Sequence, residues 1–67
     1  MRNLRFIECT RTEGKNEGAR ILINIDSIET VFPLDTGKTR ICFSNGYVDV
    51  NETYERIIPM IEYCEEN

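Results

Sequence analysis

Apolar and polar residues alternate over much of the chain up to about residue 50, and beyond it apolar residues recur at three- and four-residue steps. The first pattern is that of half-buried strands, whose side chains point to opposite faces; the second is that of an amphipathic helix. Residues 4–11 are rich in β-formers, alternate imperfectly and read as a first strand. The polar stretch 12–18, with glycines at Gly14 and Gly18, reads as an exposed hairpin loop and the most mobile part of the chain. Residues 19–25 form a second strand with Ile21, Ile23 and Ile25 on one face and Leu22 on the other, between Arg20 and Asn24. Asp26-Ser27 interrupts the run, and both side chains can bond nearby backbone, so a tight turn or a single helical turn fits there. The third strand, 28–34, contains Pro33, which cannot donate to a ladder and places this strand at a sheet edge or near its end. Residues 35–38 make the next turn.

Two β-rich runs, 39–44 and 47–50, then flank Asn45-Gly46, the pair that best tolerates the positive φ angles of a type I′ turn. A two-residue loop at that point pairs Ser44 with Tyr47, Phe43 with Val48, Cys42 with Asp49 and Ile41 with Val50. Opposed residues share a face, so Ile41, Phe43, Val48 and Val50 form one apolar quartet, with Cys42, Ser44, Tyr47 and Asp49 behind it. Asn51 is placed to cap a helix over 52–64 whose apolar stripe is Tyr54, Ile57, Ile58, Ile61 and Cys64. Pro59 should bend this helix near 55–59, and Glu65-Glu66 oppose its dipole, so its end should fray.

These elements predict an α+β fold, mainly β: a twisted antiparallel sheet of four or five strands with one C-terminal helix. Such a sheet can curl into a partial barrel of the Sm or SH3 kind. The expected core is Phe6, Ile21, Ile23, Ile25, Ile28, Phe32, Ile41, Phe43, Val48, Val50, Tyr54, Ile57, Ile58 and Ile61, with the inward face of the first and third strands left open because neither alternates cleanly. If Phe43 is core, truncating it to alanine costs about 3–5 kcal/mol. The 67 residues hold one domain, 1–67, with no room for a second core. A chain of this size buries only about 60% of the surface it exposes when unfolded, so marginal stability is expected.

Small domains compensate with disulfides, metals or partners, and the first two are poorly supplied. Cys9, Cys42 and Cys64 are odd in number and lie 33 and 22 residues apart, and there is no histidine. Neither a C-x-x-C pair nor a zinc-ligand spacing is present. Reduced thiols in a cytoplasmic protein are expected, with no metal and no cofactor. No run of about 18 apolar residues could span a membrane, and the N-terminus lacks the apolar region and cleavage site of a signal peptide.

Charge narrows the partners. The net charge is −4. Residues 1–40 carry seven basic groups against six acidic ones, while residues 41–67 carry Arg56 against six acids. A phosphate-binding protein needs a basic stripe, so nucleic acid is disfavoured, although Arg2, Arg5, Arg11 and Arg20 could gather where the first two strands pair.

Catalysis finds little to work with. Asp26-Ser27 reads better as a turn cap than as a dyad, because adjacent residues seldom orient as one. Cys42 faces Asp49 and Cys64 adjoins Glu65 and Glu66, which blunts both as nucleophiles; Cys9, near Arg11, is the one cysteine left as a candidate. Lys15 between Gly14 and Gly18 matches no phosphate-loop spacing.

Residues 21–61 resemble the FlbD-like flagellar and swarming-motility proteins. The resemblance rests on Leu22, Asn24, Asp26, Ile28, Glu29, Ile41, Asn45, Gly46, Val50, Glu52, Ile57 and Ile61. The order of elements also resembles part of the LytTR DNA-binding domain. The chain departs from the first pattern in its longer first loop, Pro33 and Pro59, and from the second in its length and acidity. Neither resemblance carries over a catalytic or binding residue. The sequence therefore predicts a non-enzymatic structural or interaction module. Leu22 and Tyr47 on outward faces, together with small size, favour a homodimer or higher homo-oligomer. The alternative is a LytTR-like regulatory DNA-binding module.

Overall fold

A computed structural model describes residues 5–12 and 18–66, the last three by their backbone alone. The elements run β1 (Phe6–Thr10), β2 (Arg20–Asn24), a 3₁₀ turn (Ile25–Ser27), β3 (Thr30–Pro33), β4 (Thr39–Phe43), β5 (Gly46–Val50) and α1 (Tyr54–Glu66). The fold is α+β, mainly β. β1 and β2 pair antiparallel as a two-stranded sheet, and β3, β4 and β5 form a three-stranded antiparallel sheet in that order. Most of the loop expected at 12–18, Lys15 and Gly14 included, lies outside the described residues, as does Arg2.

The interruption at Asp26-Ser27 takes the second of its two expected forms, a single helical turn. Asn24 caps it, its Oδ1 accepting the Asp26 N–H at 2.9 Å, and Ile28 N–H closes it onto Ile25 C=O at 3.3 Å. Pro33 ends β3, which among the described strands pairs with β4 alone. The turn that follows depends on Gly37, whose φ of +91° is the left-handed conformation glycine adopts without a Cβ penalty. Leu34 N–H to Lys38 C=O and Gly37 N–H to Leu34 C=O lock that turn at 2.8 and 3.0 Å.

The β4–β5 hairpin forms with a register two residues away from the expected one. Phe43 stands opposite Gly46, Cys42 opposite Tyr47, Ile41 opposite Val48, Arg40 opposite Asp49 and Thr39 opposite Val50. Ser44-Asn45 is therefore the loop, and neither residue has a positive φ, which excludes a type I′ turn there. Glycine now takes the last position of the turn, where it is common. The gain lies across the strands: the shift sets Arg40 against Asp49, an opposite-charge pair, instead of leaving that carboxylate beside a thiol. A slip of two residues preserves the faces, so Ile41, Phe43, Val48 and Val50 still share one side.

The two sheets meet at one corner. Arg11 bridges to Val50, Thr12 N–H donates to Asp49 C=O at 3.2 Å, and Asn51 N–H donates to Thr10 C=O at 2.9 Å. Among the described residues the sheets do not join beyond this corner, so the barrel stays open: β1 and β5 meet only here, and β2 and β3 have no strand on their far sides. The Glu52 carboxylate holds the corner by accepting the Thr10 N–H and hydroxyl at 2.9 and 3.0 Å. The fully buried Thr39 hydroxyl donates to Glu52 C=O at 2.7 Å. Because residues 51 and 52 serve this junction, Asn51 does not cap the helix. α1 starts later than expected, with Thr53 C=O accepting from Arg56 and Ile57 at 3.0 Å, and runs through Pro59 without interruption.

The core is Ile7, Cys9, Ile23, Ile25, Ile41, Val50 and Ile57, with Ile21, Ile28, Val31, Phe43, Val48, Met60 and Ile61 packed around it. This corrects the expected set at four places. In β1 the alternation turns Ile7 and Cys9 inward, leaving Phe6 42% exposed; in β3 it turns Val31 inward and Phe32 outward. Tyr54 and Ile58 are only half-buried, and Met60 takes a place in the helical stripe. The Cys64 side chain, also expected there, lies outside the described residues.

Candidate interaction surface

Sending Ile7, Cys9 and Ile23 inward obliges the β1–β2 sheet to carry its remaining side chains outward. Glu8 stands directly opposite Leu22, and Phe6 lies diagonal to it. Leu22 is 67% exposed, so two large apolar side chains lie adjacent on this face. Beside them Arg20 Nη2 donates to Glu8 Oε1 at 2.7 Å, with both partners well exposed. An ion pair of this kind adds little stability. Glu8 and Arg20, the two charged residues that β1 and β2 themselves turn outward, thus engage each other.

The outer face of the three-stranded sheet is built differently. Phe32, Arg40 and Asp49 form one cross-strand row, and Thr30, Cys42 and Tyr47 form the next. Arg40 donates Nε and Nη2 to the two Asp49 carboxylate oxygens at 2.8 and 3.1 Å, a bidentate fork. The Tyr47 ring covers the guanidinium at 4.1 Å from its centroid. These contacts leave Asp49 only 7% exposed although it points away from the core, and its carboxylate raises the Arg40 pKa above the usual guanidinium value. Tyr47 itself is 60% exposed.

The residues marked by sequence for chemistry are dispersed and engaged. Cys9 is buried, and burial, then Glu52, then Glu8, push its thiol up to about 11. The last candidate nucleophile is thus sealed in the core and held protonated. Cys42 faces Tyr47, so the expected Cys42–Asp49 pair does not exist. The Asp26 carboxylate accepts from Arg5 Nη2 at 2.8 Å, and its backbone serves the turn. The expected gathering of arginines divides: Arg5 is bound to Asp26 and Arg20 to Glu8.

Among the described residues, open clefts flank the sheets. One, of about 570 Å³, lies between the 3₁₀ turn and the hairpin loop and is lined by Asp26, Ser27, Glu29, Phe43 and Asn45. The other, of about 220 Å³, includes Thr12, Leu34, Lys38 and Asp49. Among the described residues, no three His, Cys, Asp or Glu side chains converge to hold a metal, and no helix is long and apolar enough to cross a membrane. Leu22 and Tyr47 lie outward, as alternation predicts. At Phe6 and Phe32 alternation leaves the choice open, because each adjoins a second apolar residue that competes for the inward position, and both turn outward. Comparison with protein-family models, with curated proteins and with solved structures finds no match.

Proposed function

We propose that the chain is a non-enzymatic interaction module that associates with copies of itself. The observation that carries this reading is Leu22, 67% exposed on a strand whose inward positions are already filled by isoleucines. Pairing with β1 holds it outward, and Phe6 widens the apolar area around it. Covering such a patch on a small domain adds burial that the monomer cannot supply. The absence of histidine, the sealed Cys9 and the engaged Asp26 support the non-enzymatic part. Free Cys9 and Cys42 suit a reducing, cytoplasmic setting.

The DNA-binding alternative is the weaker of the two, because Arg5 and Arg20 already face carboxylates and are poorly placed to neutralise phosphates. Sedimentation velocity over about 5–200 µM tests the proposal. The 7.8 kDa monomer should give way to a species of twice that mass as concentration rises. A single monomeric species throughout would remove the proposal.

A further inference from the structure

The two outer strands differ in what their open edges offer. Arg11 N–H donates to Ala19 C=O, and Ile25 N–H donates to Arg5 C=O. The odd-numbered residues of β2 therefore turn their backbone groups toward β1. By the alternation of an antiparallel ladder, Arg20, Leu22 and Asn24 turn theirs outward. No other described strand pairs with them. On β3 the Leu34 N–H donates to Lys38 C=O, so the outward positions are Val31 and Pro33. Pro33 has no N–H to offer, and α1 packs against this strand. A proline-blunted edge resists pairing; β2 carries neither proline nor bulge.

We infer that the open edge of β2 pairs antiparallel with β2 of a second copy, with Leu22 on the two-fold axis. This rests on the self-association proposed above and names its surface. Centring on Leu22 is the register in which all five strand residues find a counterpart: Leu22 faces Leu22 of the partner subunit, Ile21 faces Ile23 of the partner subunit, and Arg20 faces Asn24 of the partner subunit. In it Arg20, Leu22 and Asn24, which turn their backbone groups outward, meet one another, as an antiparallel ladder demands. The inner isoleucine row continues across the junction, and Leu22 and Phe6 of both copies form one apolar cluster outside. No like charges stand opposite each other in this register, and Arg20 is already paired with Glu8 of its own chain. A five-residue strand spans only about 17 Å, a contact of the small, transient class, so association should show its concentration dependence in sedimentation.

Three proteins decide the matter by sedimentation at about 100 µM: wild type, Leu22→Lys and Leu22→Pro. Lysine replaces a side chain that is mostly in water, and proline removes an N–H that β1 does not use, so both should fold with an unchanged circular dichroism spectrum. The expected result is a wild-type dimer and at least a tenfold weaker association in each variant. Hydrogen exchange on the wild type supplies the independent reading: the Arg20, Leu22 and Asn24 amides should gain protection as concentration rises. If Leu22→Lys still dimerises like wild type and those amides stay unprotected, the β2 edge is excluded while self-association stands. Loss of the dimer in Tyr47→Ser instead would move the contact to the hairpin face. A wild type that never dimerises removes both readings.

Discussion

A cysteine is small and apolar enough to serve as a core residue, and Cys9 does so between Ile7 and the β1–β5 corner. Its thiol is pushed up to about 11 by burial, with Glu52 and Glu8 adding to the effect. Alkylation at pH 8 should therefore modify Cys42 well before Cys9, read by peptide mass spectrometry. Linkage fixes the sign of the pH dependence. An unfolded chain releases this proton near 9 and the folded chain near 11, so the stabilisation is complete below pH 9 and is lost as pH rises toward 11. The slope is at most about 1.4 kcal/mol per pH unit. Glu52→Gln should bring the Cys9 titration down, but not to its ordinary value, because burial is the larger cause. Glu52→Ala also strips the Thr10 N–H and hydroxyl of their acceptor, a loss of about 1–3 kcal/mol in a urea titration.

Among the elements, the hairpin separates what local sequence can fix from what it cannot. Alternation placed Ile41, Phe43, Val48 and Val50 on one face, and a register slip of two residues cannot change that. The loop position was not legible, because Ser44-Asn45 and Asn45-Gly46 give the same faces. The choice falls to Arg40 meeting Asp49 from the opposite strand. The same limit explains β1 and β3, where Phe6-Ile7 and Val31-Phe32 each offer two apolar neighbours and only tertiary packing picks one. Asp26-Ser27 and Pro33 were legible because their chemistry is local: one closes a turn, the other lacks a donor. Phe43 sits beside the loop, half-buried, whereas Ile41 is wholly buried at mid-strand. Ile41→Ala should cost about 2–5 kcal/mol and Phe43→Ala less, the reverse of what ring size alone would give. Thermal melts of the two variants compare them directly.

At the scale of the whole molecule, the open barrel leaves β2 and β3 without a described neighbour along their far sides, while β1 and β5 meet only at their corner; of the first two, β3 is blunted and β2 is bare. A chain of 67 residues has little stability in reserve, and association with a second copy would add to it by mass action. The melting temperature is therefore the most direct measure of whether this fold is completed by a partner. It should be followed by circular dichroism from about 5 to 500 µM protein at fixed pH and salt. A midpoint that climbs steadily with concentration is the expected result. A midpoint that stays constant across that range would contradict self-association and leave Leu22 as an exposed side chain on a self-sufficient monomer.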